Sequence, residues 1–248
     1  MINTKIRKTR IYVEPPLSMG EVIVLKDEIA HHLLNVLRRR QGDLVDVFNG
    51  HGGYFESEIV NVNKKGVSVR LNRYIKDSSE GELNLTLVQG ISRGHKMDYI
   101  VQKAVELGVN TISPLLSEFS NVKLEGDRIK KRLLHWQKVI INACEQSGRN
   151  IIPRIELPIT IDRWVELSPN QDRIVLHPGA PETLASISPK SKNIALICGP
   201  EGGLSETELA LCVEKGCRMA SLGPRILRTE TAAITALAVC QSHWGDIR

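Results

Sequence analysis

Hydrophobic and polar positions change their period near residue 80. Before it, short β-rich runs are separated by turn material. The runs are Ile11–Val13, Val22–Leu25, Leu44–Phe48, Tyr54–Val60 and Val67–Leu71. Pro15-Pro16, Asn49-Gly50, Gly52-Gly53 and Lys64-Lys65-Gly66 divide them, which is strand-and-turn punctuation. One helix, about Lys26 to Arg39, interrupts the strands. Closely spaced strands with a single helix predict a small β-barrel domain over residues 1–75. Residues 76–82, Lys-Asp-Ser-Ser-Glu-Gly-Glu, have linker composition.

A second domain, 83–248, shows a different pattern. Strand-like Leu83–Val88 is followed by a helix from Met97 to Leu107, closed by Gly108 as the residue just past its end. Strand Thr111–Leu116, a long amphipathic helix from Asp127 to about Ser147, and strand Arg173–His177 follow. Two further strand-to-helix units, beginning at Ile194 and Met219, complete the chain. Such alternation predicts an α/β fold with a parallel sheet covered by helices. Ligands in such sheets lie beyond the carboxyl ends of the strands, here marked by His177, Gly199 and Gly223. The last helix, about Thr231 to His243, is apolar nearly all round. That pattern fits either a core helix or a subunit interface.

The two closing strand-to-helix turns carry the strongest chemical signal. The first is Gly199-Pro-Glu-Gly-Gly203 and the second Gly223-Pro-Arg-Ile-Leu-Arg228. Each exposes backbone amides beside a helix N-terminus, where a small ligand can be held. Ser205 and Glu208 form an S-x-x-E capping pattern, which sets the helix start just after the first turn. Glu201 lies inside that turn and repels phosphate, so the turn suits a ligand with hydroxyls, amines or a positive centre. A tight connection without a ligand remains the alternative for either turn alone. Gly90-Ile-Ser-Arg-Gly94-His-Lys96 has the wrong spacing for a P-loop, and the chain lacks G-x-G-x-x-G, H-E-x-x-H and G-x-S-x-G, so nucleotide triphosphate and dinucleotide sites are disfavoured.

Composition changes the picture in two ways. Five cysteines without a C-x-x-C pair read as buried reduced thiols, so a cytoplasmic protein without structural metal is expected. The adjacent His31-His32 reads as packing or capping. Charge is unevenly placed: residues 1–75 hold 12 Lys/Arg against 8 Asp/Glu, and the remainder 21 against 20. The basic surplus clusters at Lys5, Arg7, Lys8, Arg10 and at Arg38-Arg39-Arg40. Either this is a solvated face or it binds phosphates.

The two closing turns, read as Gly199-Pro-Glu-Gly-Gly203 and Ser221-Leu-Gly-Pro-Arg-Ile-Leu-Arg-Thr-Glu-Thr-Ala232, resemble the C-terminal signature of the RsmE family. That family comprises SPOUT-class methyltransferases of small-subunit (16S) ribosomal RNA that modify uridine N3. His32-Leu-Leu-Asn-Val-Leu-Arg38, Gly42-Asp43, Phe48-Asn-Gly50, Lys103-Ala-Val-Glu-Leu-Gly108 and Glu145-Gln-Ser-Gly-Arg149 match in order, so the resemblance spans essentially the whole chain.

The resemblance implies a PUA-like RNA-binding β-barrel, a methyltransferase domain with a C-terminal trefoil knot, S-adenosylmethionine as cofactor, and a homodimer. It places the cofactor at Leu176, His177, Gly199, Glu201, Gly203, Leu222, Gly223, Ile226 and Leu227. Arg228, Arg149 and Glu201 become the candidate catalytic residues. The arginines would stabilise charge on the uracil, and Glu201 would hold the cofactor or accept a proton. Arg7, Arg10, Arg38, Arg39, Arg40, Arg93 and Lys96 become the candidate RNA contacts. Ribosomal RNA or the assembled small subunit is the expected partner, with no membrane or DNA. The competing readings are a ribose 2′-O methyltransferase and a non-catalytic assembly protein.

Overall fold

A computed structural model describes residues 9–14, 16–64, 66–76, 80–120, 126–168 and 170–247. Lys5, Arg7, Lys8 and residues 77–79 of the expected linker lie outside the described residues. The chain divides into two compact units. One holds the N-terminal residues to Glu80 together with Cys144–Ile152; the other holds Gly81–Ala143 and Pro153–Arg248.

In the first unit, β1 (Thr9–Tyr12), β2 (Val22–Leu25), β3 (Leu44–Phe48), β4 (Tyr54–Asn63) and β5 (Gly66–Ile75) form one sheet in the order β1-β3-β4-β5-β2. Alternate residues of β4 and β5 are buried, the period-two pattern of a half-covered sheet. Val45, Val47, Phe55, Ile59, Val67, Val69 and Leu71 make its core with Ala30 and Leu33.

The expected helix over 26–39 is shorter. α1 (Asp27–His31) runs into a wider π-type turn at His32–Val36. There the Leu37 N–H donates to the His32 carbonyl at 2.9 Å. The chain leaves through Arg38 at φ 52, a left-handed conformation that non-glycine residues seldom adopt.

The second unit is built on a parallel sheet. β6 (Asn84–Gly90), β7 (Thr111–Leu116), β8 (Arg154–Ile155), β10 (Asp172–Leu176), β11 (Asn193–Cys198) and β12 (Arg218–Ala220) run in the order β12-β10-β11-β6-β7-β8, and β9 (Ile159–Thr160) pairs with β7. β6 and β11 are buried along almost their whole length, as strands covered on both faces must be.

The helices are α2 (His95–Glu106), α3 (Asp127–Ser147), α4 (Ile161–Leu167), α5 (Glu206–Glu214) and α6 (Thr229–Trp244). Asp98 of α2 accepts from Trp136 Nε1 of α3 at 3.1 Å and lies 2.9 Å from His135 Nε2. On α6, Ala233, Ala236, Leu237 and Cys240 are buried, whereas Ala232, Ile234, Ala238 and Val239 are half-exposed or exposed. The helix is therefore neither fully enclosed nor solvated. Among the described residues no helix is long and apolar enough to cross a membrane.

One segment departs from the expected division at residue 83. Cys144–Ile152, including the end of α3, clusters with the N-terminal unit. Polar bonds within that unit hold it. Glu145 Oε1 accepts from the Tyr12 N–H at 2.9 Å, and Arg10 donates to Asn150 Oδ1 and the Arg149 carbonyl. Burial raises the Glu145 carboxyl above its ordinary value, against the Tyr12 hydrogen bond and the nearby His32 and Arg10 charges.

Candidate active site

Strand order creates the site. β10 lies between β11 and β12, with Val175 opposite Ile197 and Leu176 opposite Ala220. The carboxyl ends of all three strands therefore open in one row. Beyond them lies a cavity of about 470 Å³ lined by Leu176 and His177, the turn from Gly199 to Leu204, and the segment from Leu222 to Thr229.

The first turn is held from three sides. Ser205 caps α5, and the full capping box with Glu208 is present. Glu208 also accepts from Ser117 Oγ at 3.0 Å and the Glu118 N–H at 3.1 Å. The same carboxylate thus starts the helix and pins the loop after β7. From β6, buried Gln89 donates to Thr229 Oγ1 at 3.0 Å, and Thr229 Oγ1 donates to the Gly199 carbonyl at 2.7 Å. That chain ties the start of α6 back to the first turn. Gly90 packs so closely on Gly199-Pro200 that a side chain there would collide with backbone.

The lining divides by chemistry. Leu176, Leu204, Leu209, Leu222, Ile226 and Leu227 give apolar walls, and the turns give peptide groups. Gly203 and Gly223 adopt φ 78 and 96, and a Cβ at either would enter open space. His177 Nδ1 accepts from the Gly179 N–H at 3.1 Å, which leaves Nε2 as the protonated nitrogen of the neutral ring. Cys198 is buried at the cavity floor, and burial pushes its thiol up, so it stays protonated rather than nucleophilic.

Lys96, Arg225 and Arg228 bring positive charge to the lining, and Glu201 brings a carboxylate. Glu201 Oε1 accepts from the Arg93 N–H at 3.2 Å and lies 3.3 Å from Lys96 Nζ. Partial burial works to raise the Glu201 carboxyl. Hydrogen bonds from its own and the Arg93 amide and from Lys96, with the Lys96 charge, outweigh this and hold it below its ordinary value.

All nine residues expected to hold a cofactor line this one cavity: Leu176, His177, Gly199, Glu201, Gly203, Leu222, Gly223, Ile226 and Leu227. Arg228 lines it too. Lys96, expected only as an RNA contact, also faces it. Thr229 was missed, although it directly follows the recognised turn.

Arg149 is placed elsewhere. Its guanidinium lies in the first unit, 2.5 Å from Glu80, with side-chain exposures of 7% and 17%. It is not among the residues that line the cavity in the second unit.

Arg10, half-buried, has partners within the first unit. Beyond Asn150, it lies over the rings of Phe48 and Tyr54 at 5.0 and 5.3 Å. Arg39 donates through Nε to Thr9 Oγ1 at 2.8 Å. Arg38 and Arg40 are exposed, as is Arg93. His31 and His32 are exposed, and among the described residues no group of three or more His, Cys, Asp or Glu could hold a metal ion. All five cysteines are free and buried.

Comparison with known proteins adds independent information. A family model described as an RNA methyltransferase domain matches residues 79–241, and one described as an RNA methyltransferase PUA domain matches residues 25–72. Ribosomal RNA small subunit methyltransferase E of Buchnera aphidicola (from Acyrthosiphon pisum) is 35% identical over 240 residues, covering 96% of this chain and 95% of its own. The protein of that name from Bacillus subtilis is 31% identical over 220 residues, covering 85% and 86%.

Among solved structures, a methyltransferase of Legionella pneumophila in complex with the bound cofactor SAM is 40% identical, with TM-score 0.93 over 98% of this chain and 100% of that one. Ribosomal RNA small subunit methyltransferase E of Neisseria gonorrhoeae, bound to S-adenosyl methionine, is 37% identical, with TM-score 0.90 over 97% and 100%.

Proposed function

This chain belongs to the RNA methyltransferase family that includes ribosomal RNA small subunit methyltransferase E, and from that membership we propose how its cavity works. The protein is an S-adenosylmethionine-dependent methyltransferase of small-subunit ribosomal RNA, and its target atom is N3 of a uridine. One observation carries the reading: the nine residues expected at the cofactor line a single cavity at the carboxyl ends of three adjacent parallel strands.

The residues fit the cofactor. Apolar walls suit an adenine ring, and exposed peptide groups at Gly199–Gly203 and Leu222–Leu227 suit its polar edge. Open space at Gly203 and Gly223 admits the ligand where a side chain would fill the cradle. A carboxylate, Glu201, suits a donor with a sulfonium and an ammonium group. When bound, S-adenosylmethionine supplies the activated methyl group.

The protein's own residues align the acceptor and manage its charge. Alignment of two reactants can contribute ~7–11 kcal/mol. N3 lies on the pairing edge, so the uracil must be unpaired or flipped. Arg228, exposed beside the cavity, stabilises negative charge on a uracil carbonyl. Glu201, held below its ordinary pKa, is poorly suited to take the N3 proton and acts instead as a fixed negative charge. Arg38 and Arg40 in the first unit, and Arg93 in the second, bind RNA phosphates. Neutralising any one of these arginines should flatten the log–log salt dependence of RNA affinity by roughly 0.7.

Four further features belong to the same reading. The first unit closes as a PUA-like barrel. The C-terminal segment threads as a trefoil knot, supported by β12 pairing with β10 and by Thr229 returning to Gly199. Pulling the unfolded chain from both ends should leave a shortened contour length. The half-exposed apolar face of α6 pairs with a second copy in a homodimer, which sedimentation measures. A ribosomal substrate puts the work in the cytoplasm.

Methylation of purified small subunits lacking the modification, followed by nucleoside mapping by mass spectrometry, tests the activity. 3-Methyluridine is the expected product. A ribose 2′-O-methyl product would replace the target atom, and absence of transfer would favour an assembly protein.

A further inference from the structure

The charges around the cavity do not match the donor alone. Lys96, Arg225 and Arg228 line it, against the carboxylate of Glu201. The donor's methionine carboxylate can engage one of these cations, and its sulfonium and ammonium groups gain nothing from the other two. The acceptor does: loss of the N3 proton from uracil leaves negative charge on N3 and on the two carbonyl oxygens that flank it. Two cations, one for each oxygen, match that distribution.

Lys96 is the cation whose position is fixed. It stands in the first turn of α2 (His95–Glu106), where the positive end of the helix dipole adds to its field. Its ammonium lies 3.3 Å from Glu201 Oε1, with the side chain 39% exposed. Glu201 is itself held by the Arg93 N–H at 3.2 Å. An ammonium has three N–H donors, so engaging Glu201 leaves donors for a ligand. Lys96 and Arg228 reach the cavity from segments following different strands, β6 and β12.

We propose that Lys96 is a catalytic residue whose ammonium, braced by Glu201, donates to one carbonyl oxygen of the target uracil and stabilises the charge formed when N3 loses its proton. This rests on the uridine-N3 reading above. The N3 proton passes to solvent water or hydroxide. The N3 electron pair then forms the bond to the methyl carbon, the carbon–sulfur bond breaks, and its electron pair stays on sulfur as a neutral thioether.

The test compares wild type with K96R, K96Q and E201Q. Without donor, the equilibrium affinity for a ribosomal RNA fragment carrying the target uridine is measured against the same fragment carrying 5-fluorouridine. The fluorinated base has the more acidic N3. Measurements span the pH range in which it ionises. With saturating donor, single-turnover rates are measured over the same range, and calorimetry follows donor binding.

Wild type should prefer the fluorinated fragment increasingly as it ionises. K96Q should lose that preference and about a hundredfold in rate, as when one oxyanion donor is removed. Its rate should rise only at higher pH, with donor affinity intact. K96R should keep the preference.

An unchanged preference and unchanged pH midpoint in K96Q would overturn the proposal. E201Q should weaken the preference less than K96Q does, because it removes only the brace; a K96Q defect smaller than that of E201Q would also overturn the proposal, because Lys96 would then act only by holding Glu201. Wild-type methylation at another atom would instead remove the underlying reading, which the mapping experiment detects separately.

Discussion

Replacing Gly90 by alanine tests how the proposed cofactor cavity is built. Gly90 ends β6, and a Cβ there would lie 2.7 Å from the Gly199 carbonyl carbon and closer still to Pro200 N. Ordinary contact begins at 3.4 Å. The strand end and the first glycine turn must therefore part by more than about 0.7 Å, the difference of those two distances, since Pro200 N is closer still. Both sides of the collision are backbone, so no rotamer change relieves it.

The Gly90 carbonyl also accepts from Gln89 Nε2 at 2.9 Å and Ser92 Oγ at 3.3 Å, and a shift disturbs both bonds. Overpacking of this kind costs about 1–3 kcal/mol. If half of ~2 kcal/mol appears as displacement of the turn, donor affinity falls roughly fivefold, since about 1.4 kcal/mol is tenfold. Calorimetric titration with S-adenosylmethionine and denaturant unfolding measure the two parts.

Gly81→Ala is the control. Its Cβ meets Asp246 Oδ2 at 2.7 Å, but that atom ends a side chain that can rotate away. Affinity should be lost in G90A and kept in G81A. Wild-type affinity in G90A would refute the claim that contact between β6 and the first turn shapes the cavity.

Other perturbations follow from the same geometry. Glu80→Gln breaks the pair between buried Arg149 and half-buried Glu80 and should cost the first unit at most about 3–5 kcal/mol, read as lost hydrogen-exchange protection in β4 and β5; unchanged protection would count against a structural role. Glu208→Ala removes the side-chain half of the α5 capping box and the Ser117 and Glu118 bonds, leaves Ser205 capping the backbone N–H of residue 208, and should destabilise the second unit by about 1–2 kcal/mol through the lost hydrogen bonds, measured by denaturation. The depressed Glu201 pKa means that its pairing with Lys96 is present above the ordinary carboxylate value of 4.5. The pairing disappears only as pH falls through the lower folded value. Carboxyl carbon NMR should therefore show a Glu201 midpoint below 4.5 that rises in K96M, and an unmoved midpoint would contradict the pairing. Burial pushes the Cys144 and Cys240 thiols up to about 12. A thiol reagent at neutral pH should thus leave both unmodified in the folded protein and label them after denaturation.

What the sequence made legible was local. Glycine turns, the Ser205–Glu208 capping pattern and the buried runs of β6 and β11 each carry their signal within a few residues. The parallel sheet and its ligand end followed from them. The two-residue strands β8 and β9 and the short helix α4 were not foreseen, because such short pieces show no period.

The internal partners of Arg10 and Arg149 are illegible in the sequence for one reason. An arginine in a sequence looks solvated or functional until its partner is known, and these partners lie far along the chain. Arg10 meets Asn150, and Arg149 meets Glu80. The return of Cys144–Ile152 to the first unit was hidden for the same reason, since helix periodicity in α3 gives no hint of where its end packs. Lys96 was assigned by charge alone. Only the placement of α2 shows that it lines the cavity.

The most direct measurement is a crystal structure of this protein with S-adenosylmethionine bound. The donor should lie between the Gly199–Gly203 turn and the Leu222–Leu227 segment, with its methyl group open toward Lys96 and Arg228. Density for the donor anywhere else, or those turns filled by the protein's own side chains, would contradict the account.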